Sequence, residues 1–158
     1  MSPENKALVK TTWAMVVPIA DVAATLFYDR LFALDASLRP LFGKTDMTEQ
    51  RRKLMQALAA VVNGLDNLEP LIPVLETLGR NHVRYGVTDQ HYDTVGAALL
   101  WTLEQGLKDA WTPAVKSAWT SAYGTVAGVM RGAAASNAPP RTRNLAPNFS
   151  NAGRAAAR

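Results

Sequence analysis

The sequence predicts an all-α fold of six or seven helices. Apolar residues recur with the 3.6-residue period of an α-helix along most of the chain, and no stretch of four to eight residues alternates like a β-strand. Capping residues and prolines stand where several of these periodic segments begin. With 158 residues, 48% of them hydrophobic, the chain suits one globular domain with an ordinary core.

The first two helices are predicted on either side of Pro18. Ser2 is the expected N-cap of the first helix, and Pro3 occupies its first position. The apolar stripe of this helix consists of Val9, Trp13, Val16 and Val17. Pro18 ends or kinks it, and the second helix is predicted over residues 19–34. The apolar face of the second helix consists of Ala24, Tyr28, Leu31 and Phe32.

The middle of the chain is predicted to hold two more helices. A short turn capped by Asp35 leads, through a loop, to a helix over residues 47–65. Its regular stripe consists of Gln50, Leu54, Leu58, Val61, Val62 and Leu65. The next helix is predicted over residues 68–82, with prolines in its first turn, and its apolar line ends in His82.

Two long helices are predicted to close the domain. They cover residues 89–108 and 113–132, and Thr112 is the expected cap of the second. The apolar periodicity then stops. We therefore divide the chain into a folded domain, residues 1–134, and a low-complexity tail, residues 135–158, which is expected to be disordered because it offers too little apolar surface to bury.

The basic character of the chain belongs to this tail. The whole sequence carries 17 basic and 13 acidic residues, a net charge of +4 and a pI near 9.6. Residues 1–134 contain 13 of each sign, so the domain is neutral. The excess consists of Arg141, Arg143, Arg154 and Arg158. A basic tail on a neutral domain gives no reason to expect nucleic-acid binding.

The composition excludes several classes of site and location. The chain has no cysteine, which excludes disulfides, thiolate zinc sites, iron–sulfur clusters and cysteine nucleophiles. The N-terminus has no apolar signal region, and no uninterrupted apolar run approaches 18 residues. A cytoplasmic protein without membrane insertion is therefore expected.

Three polar side chains interrupt apolar helix faces and are candidates for function: Tyr28, Gln50 and His82. Each also has a purely structural explanation, as a core tyrosine, a solvated glutamine and a core-edge histidine. Motifs for zinc proteases, serine hydrolases and calcium loops are absent from the sequence. Haem, in contrast, needs one histidine ligand, an apolar slot and a small polar group facing the ligand side, and the chain offers one of each kind.

Several short motifs occur in a fixed order along the chain: FYDRLF at 27–32, Phe42, QRRKL at 50–54, DNL at 66–68, LIP at 71–73, GRNH at 79–82, HYDTVG at 91–96 and AWTSAYG at 118–124. Together these motifs resemble the haem domain of flavohaemoglobins and the Vitreoscilla-type bacterial haemoglobins. The resemblance runs through about residues 4–131. The resemblance implies that residues 1–134 form a globin domain, six to seven helices around a haem b pocket.

The resemblance also assigns site residues. It implies that His82 is the iron ligand and that Phe42 packs on the porphyrin. It implies that Tyr28, Gln50 and Leu54 form the side where gas binds, and Gln50 and Leu54, four residues apart, do share one helix face. Val95 is expected to contact the haem as well.

On the side of the iron ligand, the resemblance implies that Tyr92 orients the His82 imidazole. Relatives commonly add a glutamate in the last helix, but the corresponding position here is Ala134. The backbone carbonyl of Leu78 is expected to hold the imidazole proton instead. The basic side chains Lys53, Arg80 and Arg84 either meet the haem propionates or are ordinary solvated charges.

The resemblance leaves three functions open. Tight dioxygen binding could serve nitric oxide detoxification by dioxygenation to nitrate, and since 158 residues leave no room for a reductase domain, a separate NAD(P)H-dependent reductase is expected. The alternatives are non-enzymatic oxygen binding, transport or scavenging, and gas sensing through a partner. The expected ligands are dioxygen and nitric oxide, and the expected assembly is a monomer or a homodimer.

Overall fold

The structure is a computed structural model that describes residues 1–84 and 86–136, with Arg84 and Ser136 described by backbone alone. Residues 137–158, which hold nearly all of the predicted tail, lie outside the described part. The helices are α1 (Pro3–Val16), α2 (Ala20–Leu34), α3 (Met47–Asn63), α4 (Ile72–Arg84), α5 (Asp89–Leu107) and α6 (Pro113–Ser136). Short 3₁₀ turns lie next to these helices, at Val17–Ile19, Ala36–Leu41, Glu69–Leu71 and Lys108–Ala110. Over the described residues, the prediction of an all-α fold is confirmed.

Local sequence explains where the helices begin. The Ser2 hydroxyl accepts a hydrogen bond from the Asn5 amide at 3.1 Å, which caps α1. The Asp46 carboxylate accepts from the Thr48 amide at 3.0 Å at the start of α3, and the Thr112 hydroxyl accepts from the Val115 amide at 3.2 Å at the start of α6. Side-chain oxygens thus satisfy amides that a helix leaves unpaired in its first turn.

Two helices, α4 and α6, differ most from their predicted bounds. The helix predicted over 68–82 begins at Ile72, because the first of its two prolines lies in the separate 3₁₀ turn Glu69–Leu71, and it continues to Arg84. Helix α6 continues past the predicted end at residue 132 to Ser136. Alanine occupies positions 133–135, and its high helix propensity prolongs the helix where the apolar pattern has already stopped.

The helices pack in three main pairs, α1 on α6, α2 on α5, and α4 on α6. Between α1 and α6, the Trp119 indole donates to the Thr12 hydroxyl at 2.8 Å, and its ring lies 6.3 Å from that of Trp13. Between α4 and α6, Gly79 lies directly on the backbone of Met130, where an added Cβ would be 2.3 Å from the carbonyl oxygen. The second contact brings the helix that carries His82 against the last helix.

One helical stretch of the described chain, Pro3–Leu34, is long and apolar enough by composition to cross a membrane. It qualifies by average hydropathy and is not an uninterrupted apolar run, so it does not contradict the expectation drawn from such runs. Core helices of soluble proteins meet the same criterion, and here the stretch contributes Val9, Val16, Phe27 and Leu31 to the main hydrophobic core.

Candidate functional site

A cavity of about 190 Å³, partly open to solvent, lies among α2, the 3₁₀ turn Ala36–Leu41, α3, α4 and α5. Most of its lining is apolar and includes Phe27, Leu31, Phe42, Leu54, Leu78 and Val95. Four side chains with polar atoms also reach it: Tyr28, Gln50, His82 and His91. An apolar cavity with a few polar groups is the usual form of a ligand or cofactor site.

The ring of His82, on α4, has a defined tautomer. Its Nδ1 lies 2.7 Å from the carbonyl oxygen of Leu78, one turn earlier, so Nδ1 carries the proton and donates it. Burial lowers the pKa of His82 below its ordinary value, which favours the neutral ring. The Nε2 lone pair is therefore available to a metal. A neutral imidazole with its second nitrogen anchored is the form in which histidine binds haem iron.

Tyr28 of α2 and Gln50 of α3 are joined inside the cavity. The Gln50 Nε2 donates a hydrogen bond to the Tyr28 hydroxyl oxygen at 3.1 Å, and both residues are 5% exposed. Burial raises the pKa of the Tyr28 phenol, so the hydroxyl keeps its proton at neutral pH. Since the phenol oxygen accepts from Gln50, that proton is free for another acceptor. The Gln50 Oε1 is buried without a hydrogen-bond partner in the described part of the chain.

Aromatic rings fix the position of the Tyr28 side chain. The Phe42 ring meets it edge-on at a centroid distance of 5.7 Å, and Phe27 does so at 5.0 Å. Phe32 contacts Phe42 in the same manner at 5.3 Å. Edge-to-face packing of this kind restrains ring orientation. The hydroxyl is thereby directed by its surroundings and not by Gln50 alone.

Of the predicted site residues, seven line this cavity: Tyr28, Phe42, Gln50, Leu54, Leu78, His82 and Val95. Lys53 and Tyr92 are not among the lining residues. Arg80 is buried, with two guanidinium nitrogens unpaired among the described residues, and the side chain of Arg84 lies outside the described part. Roles for Lys53 and Tyr92 toward a cofactor remain predictions.

Tyr92 lies in a smaller hydrophobic cluster with Leu75 and Met130, which Leu78 also contacts. Its backbone carbonyl accepts the Tyr123 hydroxyl at 2.6 Å, and the Arg131 guanidinium stacks over its ring at 5.0 Å. Burial raises the pKa of Tyr92 to about 12. Its hydroxyl has no hydrogen-bond partner within residues 1–84 and 86–136.

His91 is the cavity residue that sequence reasoning missed. Its Nδ1 accepts the Thr88 amide proton at 3.0 Å at the start of α5, while its ring also lines the cavity. In the sequence it lies nine residues after His82 across a predicted helix break, a spacing that does not suit a shared metal site. The available signal was its place three residues after Thr88, a position from which a side chain can reach back to cap a helix.

This helical architecture and its histidine-bearing apolar cavity define the class of the protein. The globin family model matches residues 25–130, and the chain belongs to the globin family. Membership implies a haem cofactor and haem-based gas binding. The residues fit that cofactor, because His82 offers a free Nε2 to iron, and Tyr28 has an uncommitted hydroxyl proton in the same cavity.

Within this family the chain is similar to flavohaemoproteins. It is 34% identical over 134 residues to the flavohaemoprotein of Bordetella parapertussis, covering 84% of this chain and 33% of the relative. It is 33% identical over 128 residues to that of Bacillus subtilis and 30% identical over 125 residues to that of Vibrio cholerae, in each case covering 78% of this chain and 32% of the relative. The chain thus spans about a third of the length of these relatives.

Proposed function

We propose that this globin binds haem b through His82, holds dioxygen tightly, and uses it to convert nitric oxide to nitrate with electrons from a separate NAD(P)H-dependent reductase. The observation that carries the proposal is the buried Tyr28–Gln50 pair in the cavity that His82 also lines. Bound haem supplies a ferrous iron that binds diatomic gases and exchanges single electrons.

The chain's own residues hold and polarise the gas. The Tyr28 hydroxyl donates its free proton to a diatomic ligand, and the apolar walls formed by Phe42 and Leu54 exclude water. A hydrogen bond to a partner that carries negative charge contributes about 1.5–3 kcal/mol. Such a donor slows the loss of dioxygen, which favours retention over rapid release.

Retention of dioxygen suits a reaction with nitric oxide. One nitric oxide, one dioxygen and one electron would give one nitrate. Haem held by His82 would supply that electron, and a reductase would have to restore it for turnover. The similarity to flavohaemoproteins supports a reductase as partner, because the name of those relatives combines a flavin with a haem. Oxygen storage or scavenging is the function that remains if nitric oxide does not react.

The setting of the reaction is also part of the proposal. The sequence similarity to bacterial haem proteins supports a cytoplasmic location, where nicotinamide-dependent reductases are found. The proposed assembly is a monomer or a homodimer.

Two measurements test this function. An absorption spectrum of the purified protein, before and after haem addition and reduction, should show a strong Soret band, and its absence would overturn the haem assignment. The reduced, oxygen-equilibrated protein is then mixed with one equivalent of nitric oxide in a stopped-flow instrument. Conversion to ferric protein and nitrate within milliseconds supports dioxygenation, whereas slow or absent conversion leaves oxygen storage.

A further inference from the structure

His91 presents a hydrogen-bond donor that the fold leaves without a partner. Because Nδ1 accepts the Thr88 amide proton at 3.0 Å, the neutral ring must carry its proton on Nε2. The nearest carboxylate oxygen, Asp35 Oδ2, is 3.9 Å from Nε2, which is too long for a hydrogen bond. In the described part of the chain, no acceptor takes the Nε2 proton.

The location of His91 indicates which kind of ligand would accept its Nε2 proton. The ring lines the cavity that His82 and Tyr28 also line, and its side chain is 16% exposed. Asp35 next to it is 30% exposed, so this junction of α5 with the 3₁₀ turn Ala36–Leu41 is the part of the cavity where water is near. A ligand with an apolar body and anionic ends would keep its body among the apolar walls and its charge at such an edge.

We propose that His91 is a cofactor-binding residue whose Nε2 proton is donated to a carboxylate of the haem, so that the junction of α5 with Ala36–Leu41 holds the propionate edge. This inference rests on the proposed function, since it requires haem in this cavity. Thr88 is a positioning residue for it, because its amide fixes which ring nitrogen carries the proton.

Asp35 places a negative charge beside the proposed contact between His91 and the propionate. Its Oδ1 accepts both the amide and the hydroxyl of Ser37, at 3.0 and 2.5 Å, which ties the carboxylate to its own turn. The hydrogen bond from the Ser37 side chain holds the pKa of Asp35 below its usual range, so the group is charged. A fixed negative charge near the edge repels a propionate slightly and does not replace His91 as its partner.

The chain allows a matched pair of substitutions. In His91→Asn, the amide oxygen takes the place of Nδ1 and can still accept from Thr88, but the donor at the position of Nε2 is lost. In His91→Gln, the amide nitrogen reaches the position of Nε2 and keeps a donor there. Both variants are loaded with iron protoporphyrin IX or with its dimethyl ester, which lacks the carboxylates, and the rate of haem loss to an excess of apoglobin scavenger is measured.

We expect His91→Asn to lose native haem about tenfold faster than the wild-type protein, and His91→Gln to remain within about threefold of it. With the ester, the wild-type protein and His91→Asn should lose haem at equal rates, because the partner of the donor is missing. Asp35→Asn should retain native haem as long as the wild-type protein or longer.

Equal acceleration by His91→Asn for both haems, or none for either, would overturn the assignment. If Asp35→Asn accelerates loss as much as His91→Asn does, the histidine acts only through the aspartate and the inference is wrong. Failure of the wild-type protein to bind either haem would instead refute the proposed function itself. The Soret band of the wild-type protein separates the two cases.

Discussion

The Gln50 amide donates to the Tyr28 hydroxyl oxygen at 3.1 Å, and this contact joins α3 to α2 within the cavity. The two residues are 22 positions apart in the sequence. The direction of the bond matters more than its length. A phenol that accepts from an amide keeps its own proton for a third group, so the pair acts as one polarised donor.

Replacement of Tyr28 by phenylalanine removes this donor with little change of shape. We expect dioxygen to dissociate about ten- to a hundredfold faster, measured by stopped-flow displacement from the reduced protein. Phe27→Tyr is not a suitable control because it adds a buried hydroxyl, whereas Phe32→Leu alters the same aromatic cluster without touching a donor. If Phe32→Leu accelerates dissociation as much as Tyr28→Phe does, packing and not hydrogen bonding controls retention.

Replacement of Gly79 by alanine tests the contact between α4 and α6. The new Cβ would lie 2.3 Å from the Met130 carbonyl oxygen, so one helix must move, and we expect a loss of about 1–3 kcal/mol in the free energy of unfolding. Gly128→Ala on α6 is the matched control, because nothing lies within 4 Å of its added Cβ, and helix propensity should raise stability by up to about 1 kcal/mol. Urea unfolding of both variants gives the comparison, and equal effects would show that the contact is not tight.

Replacement of Thr12 by valine removes the acceptor of the Trp119 indole proton. The indole N–H would be buried without a partner, which costs about 1–3 kcal/mol in the free energy of unfolding. Thr25 is a good comparison, since its hydroxyl makes an exposed bond to the Asp21 carbonyl, and Thr25→Val should change stability by less than about 0.5 kcal/mol. A similar loss in both variants would attribute the effect to the lost hydroxyl bond to the preceding helical turn, which Thr12 and Thr25 both make, and not to the Trp119 indole.

Replacement of Tyr92 by phenylalanine should change the alkaline stability of the protein. Burial raises the pKa of Tyr92 from 10.0 to about 12, so above pH 10 the unfolded state loses this proton before the folded state does. The contribution is fully present below pH 10 and is lost as the pH rises through the folded pKa. We therefore expect the free energy of unfolding to fall less steeply between pH 10 and pH 12 in Tyr92→Phe than in the wild-type protein.

At neutral pH, Tyr92→Phe should be as stable as the wild-type protein or more stable by about 1 kcal/mol. Its hydroxyl is buried without a partner among the described residues, so its removal breaks no hydrogen bond there. A clear loss of stability at neutral pH in urea unfolding would mean that the hydroxyl has a partner in the folded protein.

Local signals in the sequence predicted most helix starts, because a cap such as Ser2 or Thr112 acts within one turn of its own position. Helix ends were harder to predict. Helix α6 continues to Ser136 on the propensity of its alanines, which carries no apolar period, and the start of α4 depended on which proline would lie in a separate turn.

The cavity was predicted less completely than the helices. Tyr28, Gln50 and His82 were recognisable one at a time as polar interruptions of apolar stripes. The hydrogen bond between Tyr28 and Gln50, however, depends on how α2 and α3 cross, which no local pattern contains. His91 was missed because its capping bond to Thr88 and its place in the cavity become visible together only in three dimensions.

The contact at Gly79 has a mechanical consequence for the whole site. With no side chain between the two backbones, α4 has little freedom to slide or tilt unless α6 moves with it. His82 lies three residues further along α4, so the position of its imidazole in the cavity depends on the position of α6. A displacement of α6, for example by a domain fused after it, would therefore also move the His82 Nε2 atom that is available to the iron.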